Sequence, residues 1–150
     1  MEYTIISGKD FNEARKKIRE NKGKEIVFTS DDDELNRKVL EKESINVLLI
    51  SQKGRKDKVK QRDSGFNQVL AKLAKKKSVA VGINLDEIMK SGEEEKAEIL
   101  ARIRQNVKLC NKNKLKVRFI SKESNEARDW YNLKALGLVL GMPTWMVKSI

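Results

Sequence analysis

No histidine occurs anywhere in the 150-residue chain. That absence excludes catalysis by an imidazole acid or base, the Ser-His-Asp and Cys-His nucleophile arrangements, and any zinc or iron site that needs an imidazole ligand. Cysteine is nearly as scarce. Cys110 stands alone, which excludes an intramolecular disulfide and a cysteine-rich zinc ribbon and makes a reducing, cytoplasmic setting the expectation. Proline occurs once, at Pro143, and no Pro-rich, low-complexity or linker-like tract divides the chain, so a single domain over residues 1–150 is expected. Long hydrophobic runs are missing as well. Leu136 to Met142 is far too short to span a bilayer, and Met1 to Asp10 carries no apolar leader, so no membrane association is expected.

What is plentiful is positive charge. Lys and Arg number 33 against 22 Asp and Glu, a net charge of +11. Residues 1–52 hold 10 basic and 11 acidic residues, and residues 78–150 hold 13 and 9. Between them, residues 53–77 hold Lys53, Arg55, Lys56, Lys58, Lys60, Arg62, Lys72, Lys75, Lys76 and Lys77 against only Asp57 and Asp63, a local surplus of +8. Such a concentration is the footprint of a phosphate-binding surface, because each phosphate neutralised releases condensed counterions. A solvated charged face is the alternative. Against it stand the near absence of intervening acids and the two glycines, Gly54 and Gly65, that punctuate the run.

Short β-branched runs alternate with amphipathic stretches along the chain. Tyr3 to Ser7, Glu25 to Thr29, Val47 to Ile50, Ser78 to Ile83 and Val117 to Ile120 read as five strands, the third buried on both sides. Between them, Phe11, Ala14 and Ile18, then Leu35 and Val39, recur at helical spacing, with Ser30 and Asp31 to Asp33 available as N-cap and dipole-favouring charge. Phe66, Val69, Leu70 and Leu73 fall at i, i+3, i+4 and i+7, which puts Lys72, Lys75 and Lys76 outside the apolar stripe of a helix. Ile99, Leu100, Ile103, Val107 and Cys110 mark a long helix from Glu93 to about Asn113. A further helix is expected from about Asn125 to Leu136, and a short last one opened by Pro143 in its first turn. This rhythm predicts an α/β fold with a parallel sheet of about five strands and right-handed crossovers, either an open sheet or an incomplete barrel. In both, the loops after the strand C-termini are the usual ligand sites, and the basic loop is one of them.

The basic loop leads into a helix whose expected N-cap is Asp63 or Ser64, so that the first free backbone N–H groups face the same side as Arg55, Lys56 and Arg62. The bland alternatives are that Asp63 and Ser64 only cap the helix, that Asn67 only tidies its first turn, and that Arg55 to Asp57 form an exposed ion-paired loop.

Three blocks carry a more specific signal: Gly54-Arg55-Lys56-Asp57, then Arg62-Asp63-Ser64-Gly65-Phe66-Asn67-Gln68-Val69-Leu70-Ala71-Lys72-Leu73-Ala74, then Val79-Ala80-Val81-Gly82-Ile83. With Ala97 to Leu109, the Val117 to Ser121 strand and Leu136 to Met142, the chain closely resembles the archaeal ribonuclease P protein component 3 family over roughly residues 24–148. The resemblance implies an incomplete, truncated parallel β/α barrel related to the polymerase and histidinol phosphatase superfamily without that superfamily's metal-binding histidines. It implies a protein subunit of ribonuclease P, the ribonucleoprotein that removes the 5′ leader from precursor tRNA. In such a particle the RNA cuts, magnesium sits on the RNA, and the protein binds no cofactor or metal and supplies no catalytic residue. Its implied partners are the ribonuclease P RNA and protein component 2, with precursor tRNA contacted indirectly.

Carried over by motif, Arg55, Lys56, Asp57, Arg62, Ser64 and Asn67 occupy signature positions, the cations suited to phosphate contacts and Ser64 and Asn67 to loop and helix-start geometry or to RNA contact. The RNA-binding set expected is Lys53, Arg55, Lys56, Lys58, Lys60, Arg62, Ser64, Asn67 and Gln68. Gln68 stands where many relatives have histidine, which puts any imidazole role there in doubt. The chain also looks shortened at its N-terminal side, which leads us to expect an exposed strand edge and apolar surface at the gap, covered by a second copy, by component 2 or by RNA.

Two other readings compete. A metal-dependent phosphoesterase of the related superfamily would need an all-carboxylate metal cluster here, and an adaptor acting only through component 2 would not touch RNA. Glu93 to Glu95 and Asp31 to Asp33 read better as helix-dipole partners than as ligands, and Cys110 as a small core residue. Trp130 and Tyr131, preceded by Arg128, read as buried against the barrel or a partner helix more readily than as a base-stacking site, and Trp145 as an interface anchor or a core cap.

Overall fold

The computed structural model describes residues 3–57, 59–60, 62–122 and 130–150. Elements run β1 (Thr4–Ile6), α1 (Phe11–Glu20), β2 (Ile26–Thr29), α2 (Asp33–Lys42), β3 (Val47–Ile50), α3 (Gln68–Lys77), β4 (Ala80–Asn84), α4 (Leu85–Lys90), α5 (Glu93–Lys112), β5 (Val117–Ile120), α6 (Trp130–Val139) and α7 (Thr144–Lys148). Each strand pairs in parallel with the next, in the order β1-β2-β3-β4-β5. The fold is thus α/β, with five parallel strands in one unclosed sheet. Strictly sequential order never reverses direction, which is the pattern of barrel strands and not of a doubly wound sheet.

Alternation along the strands divides the sheet into two unequal faces. Ile6, Ile26, Phe28, Leu48, Ile50, Val81, Ile83 and Val117 pack with the helices in the large core. Val27, Val47, Leu49 and Ile120 form a second cluster with Tyr3, Ile5 and Ala80, to which no helix contributes. All the packing helices therefore lie on one face, and the other face is a concave strand-lined surface. There Gly82 is required by crowding: a Cβ would come within 3.0 Å of Val47 Cγ1 and 3.1 Å of Leu49 Cδ1.

The curl is fixed by two long-range ties. Tyr3 Oη donates to the Ser121 carbonyl at 3.0 Å and accepts from the Ser121 N–H at 3.2 Å, joining the start of β1 to the end of β5. Arg118 of β5 pairs with Glu25, just before β2. The unclosed sheet leaves β1 and β5 as edge strands, and exposed large apolar side chains lie in α6, the helix that follows β5, at Trp130, Tyr131, Leu138 and Val139. The four core residues of the concave face are at most 1% exposed, because the curled strands bury them against one another.

Other expectations need correction. Helix α4 carries too short an apolar pattern to stand out in the sequence and is set by Asn84, whose side chain accepts from the Glu87 N–H. Pro143 is the N-cap of α7, one place before its first turn. Helix α6 continues to Val139, while its expected start near residue 125 lies outside the described residues, as does Arg128. Trp130 and Tyr131 are 56% and 83% exposed, so they are not buried against the barrel. Trp145 caps the core: it is partly buried, its Nε1 donates to Asn111 Oδ1 at 3.1 Å, and Lys114 lies over its ring. Cys110 is fully buried, and desolvation pushes its thiol pKa up to about 12. No helix among the described residues is long and apolar enough to cross a membrane.

Candidate functional site

At the C-terminal end of β3 the chain enters the basic loop, which a buried polar lattice holds from beneath. Its centre is Arg102 of α5, only 2% exposed. Arg102 Nε donates to Asp57 Oδ1 at 3.1 Å, Nη1 to the Gln52 carbonyl at 3.2 Å and Nη2 to the Arg55 carbonyl at 2.8 Å. Asp57 Oδ1 also accepts from the Asp63 N–H at 3.0 Å, which closes the loop on itself. The Arg102 hydrogen bond, with help from that N–H and the positive field of Arg62, holds the Asp57 carboxyl below the usual carboxylate range.

A second ring of contacts surrounds Ser64, itself 2% exposed. Its carbonyl accepts from Gln52 Nε2 at 2.8 Å and Asn106 Nδ2 at 3.3 Å, and Gln105 Nε2 donates to its Oγ at 3.3 Å. Glu87 of α4 accepts from the Gln52 N–H at 2.9 Å and pairs with the Ser51 hydroxyl. The buried backbone carbonyls and the buried guanidinium are bonded in this way, while Gln52 Oε1 and Asn106 Oδ1 in the same lattice have no hydrogen-bond partner among the described residues.

Arg55 is turned inward. Its side chain is 11% exposed and forks onto the Asp33 carboxylate at 2.8 and 2.9 Å, with Asp63 Oδ1 a further 3.3 Å from Nη1. Its Nε donates to the Ser51 carbonyl. The Asp33 hydrogen bond raises the guanidinium pKa above its ordinary value, against the opposing effect of burial. Arg55 therefore holds loop to loop, and the phosphate contact expected of it is not the use its donors are put to here. Gly65, at φ +71°, makes this possible: a Cβ there would lie 2.4 Å from Arg55 Nη2.

Four expected cations face outward. Lys53, Lys56, Lys60 and Arg62 are all exposed, and among the described residues none is within ion-pair distance of a carboxylate. Lys58 lies outside the described residues. Ser64 is too buried to meet a partner and serves loop geometry. The N-cap of α3 is Asn67, not Asp63 or Ser64: its side chain accepts from the Leu70 N–H at 2.9 Å, while Phe66 is buried ahead of the helix. Gln68 forms a reciprocal amide pair with Asn113, at 3.2 and 3.3 Å.

Asp33, Gln52, Arg102, Gln105 and Asn106 were not among the residues singled out for the loop. The signal available for two of them is Arg102 and Asn106 at i and i+4, polar residues set within the apolar stripe of α5. Beside the loop, Lys53, Asp86, Glu87, Lys90 and Ser91 line a shallow cleft of about 120 Å³. Asp86 is engaged there by the Ser121 hydroxyl at 2.6 Å and the Lys122 N–H at 2.8 Å. Among the described residues no group of three or more Cys, Asp or Glu side chains is placed to hold a metal ion.

No protein-family model matches the sequence. Ribonuclease P protein component 3 of Methanococcus maripaludis (strain C7) is 30% identical over 138 residues, covering 91% of this chain and 55% of that protein. The component 3 protein of Methanocaldococcus jannaschii is 29% identical over 144 residues, covering 95% and 59%. The chain thus spans a little over half the length of the curated relatives it matches. A chain in the cryo-EM structure of archaeal ribonuclease P with mature tRNA matches with a TM-score of 0.81 and 27% identity, over 99% of this chain and 63% of that one. In sequence the chain is similar to ribonuclease P protein component 3 of these archaea, and in fold to a chain of archaeal ribonuclease P.

Proposed function

We propose that the chain is an RNA-binding protein subunit of ribonuclease P, which removes the 5′ leader of precursor tRNA, and that it meets the RNA through Lys53, Lys56, Lys60 and Arg62. The observation that carries this reading is a loop whose two carboxylates and Arg55 are engaged with Arg102, Asp33 and each other, while those four cations stay exposed with no carboxylate at ion-pair distance among the described residues. A preorganised loop binds phosphate without spending affinity on ordering itself. In this reading the RNA, with its own magnesium, does the cutting. The chain binds no cofactor, works in the cytoplasm as a single domain, and acts beside protein component 2, on a framework derived from the polymerase and histidinol phosphatase barrel.

The test is reconstitution. Adding the chain and component 2 to the ribonuclease P RNA speeds precursor tRNA cleavage at low magnesium, and a variant with Lys53, Lys56, Lys60 and Arg62 all replaced by Gln loses most of that stimulation. No stimulation by the wild-type chain, or equal stimulation by the variant, contradicts the reading.

A further inference from the structure

The basic loop accounts for only part of the positive surface. No acidic residue lies between Ser64 and Leu85, or between Ile99 and Lys122, stretches that carry 4 and 8 basic residues. The fold sets them side by side. Asn106 Nδ2 donates to the Ser64 carbonyl, Gln68 pairs with Asn113, and Lys75 Nζ donates to the Lys114 carbonyl at 3.1 Å. These ties join α3 and the loop before it to the C-terminal half of α5 and the two residues that follow it, and the junction forms a seam.

On α3, Gln68, Lys72 and Lys75 fall at i, i+4 and i+7, one row, the first bonded to Asn113, the C-cap of α5, and the last to the carbonyl of Lys114 just beyond it. On α5, Gln105, Lys108 and Lys112 fall at i, i+3 and i+7, and Gln105 reaches the basic loop at the Arg62 carbonyl. Lys72, Lys75, Lys108 and Lys112 are exposed, and among the described residues none has a carboxylate at ion-pair distance. The opposite flank behaves differently: Arg15 and Arg19 converge on Glu43, Lys17 meets Glu13, and Arg37 meets Glu41. Like charges concentrated without counter-charge act against folding, and they keep a high positive potential available for a polyanion. The chemistry of that polyanion is narrowed by what the seam lacks. The exposed aromatic residues among the described ones are Trp130 and Tyr131 of α6, none on α3 or α5, so the seam offers no platform for stacking unpaired bases. Rows of ammonium groups suit the regular phosphates of an A-form helix, which proteins recognise through backbone and shape.

We propose that the α3–α5 seam is a second RNA contact, in which Lys72, Lys75, Lys108 and Lys112 hold the phosphate backbone of a double-helical segment without regard to its sequence. The proposal rests on the RNA-binding reading above but on different residues. It is tested with the full chain and an RNA hairpin of arbitrary stem sequence, by fluorescence anisotropy across a salt series. Three variants are compared, each checked for an unchanged circular dichroism spectrum: the seam quadruple K72Q/K75Q/K108Q/K112Q, the loop quadruple K53Q/K56Q/K60Q/R62Q, and a control, K16Q/K22Q/K24Q/K148Q. Each duplex phosphate contact contributes about 0.9 to the log–log salt slope, so the seam variant flattens the slope by about 3 to 4 and the control leaves it in place. An unchanged slope in the seam variant overturns the proposal, and if the loop variant then flattens it, RNA binding by the loop stands alone. Equal flattening by the control also overturns it, since net charge would then be the cause. Flattening by the seam variant with no effect of the loop variant supports the seam and removes the loop assignment. No binding of the hairpin by the wild-type chain overturns both.

Discussion

Arg102 shows why residue type alone does not describe the loop. An arginine in a basic protein reads as surface charge, yet this one is buried and spends its donors on Asp57 and two carbonyls. Arg55, counted from the sequence as a phosphate contact, is likewise held by Asp33. Both pairings escape the sequence for one cause: the partners lie 45 and 22 residues away, and no local pattern pairs them. Exposed Lys53, Lys56, Lys60 and Arg62, by contrast, were legible because surface is the default for an unpaired cation. The Arg102 to Asp57 contact has a pH signature. The folded-state carboxyl is depressed below its ordinary value, so the stabilisation is present above the unfolded pKa of about 3.9 and is lost as pH falls through the lower folded value. Asp57→Asn is expected to melt below wild type near neutral pH, and the two curves should converge in strong acid. Thermal midpoints measured from pH 2 to 7 check this. A gap independent of pH would mean that the carboxylate charge is not what the loop uses.

At the scale of elements, strands and long helices were legible because burial writes them in period. Val47 to Ile50 is apolar throughout because helices cover one side of it and the concave face covers the other. Caps and short connectors were less legible, since several residues near a boundary can do the same chemistry. Asp63, Ser64 and Asn67 all suit an N-cap; Asp63 and Ser64 are taken up by the loop, and Asn67 is left to bond Leu70. α3 has no acidic residue in its first turn to complement its dipole, so this one bond matters more than usual. Asn67→Ala is expected to cost about 1 kcal/mol in chemical denaturation, and Asn67→Asp to cost less or nothing. Loss of equal size in both variants would show that Asn67 acts otherwise than as a cap.

For the whole molecule, a parallel sheet of about five strands followed from alternation alone, but the sequential strand order, the placing of the helices on one face and the degree of curl did not. A flat five-stranded sheet of this composition would leave Val27, Val47, Leu49 and Ile120 open to water, about 1.5 to 3 kcal/mol apiece for large aliphatic side chains. The curled sheet buries them without closing. What keeps the curl is a contact between residues 118 positions apart: Tyr3 Oη donates to the carbonyl of Ser121 and accepts from its N–H, bringing the first strand to the end of the last. Arg118 and Glu25 add a second tie on the same side of the sheet. Tyr3→Phe keeps the ring against the concave cluster and removes only the two hydrogen bonds, so it isolates the tie from the packing. It is expected to lower stability by about 1 to 2 kcal/mol. Because the tie acts on the two edge strands, amide hydrogen exchange should rise along β1 and β5 before it rises in β3 and β4, whose ladders are flanked on both sides. Uniform acceleration across all five strands would instead mean that the sheet opens as one unit and that its curl is set by side-chain packing alone.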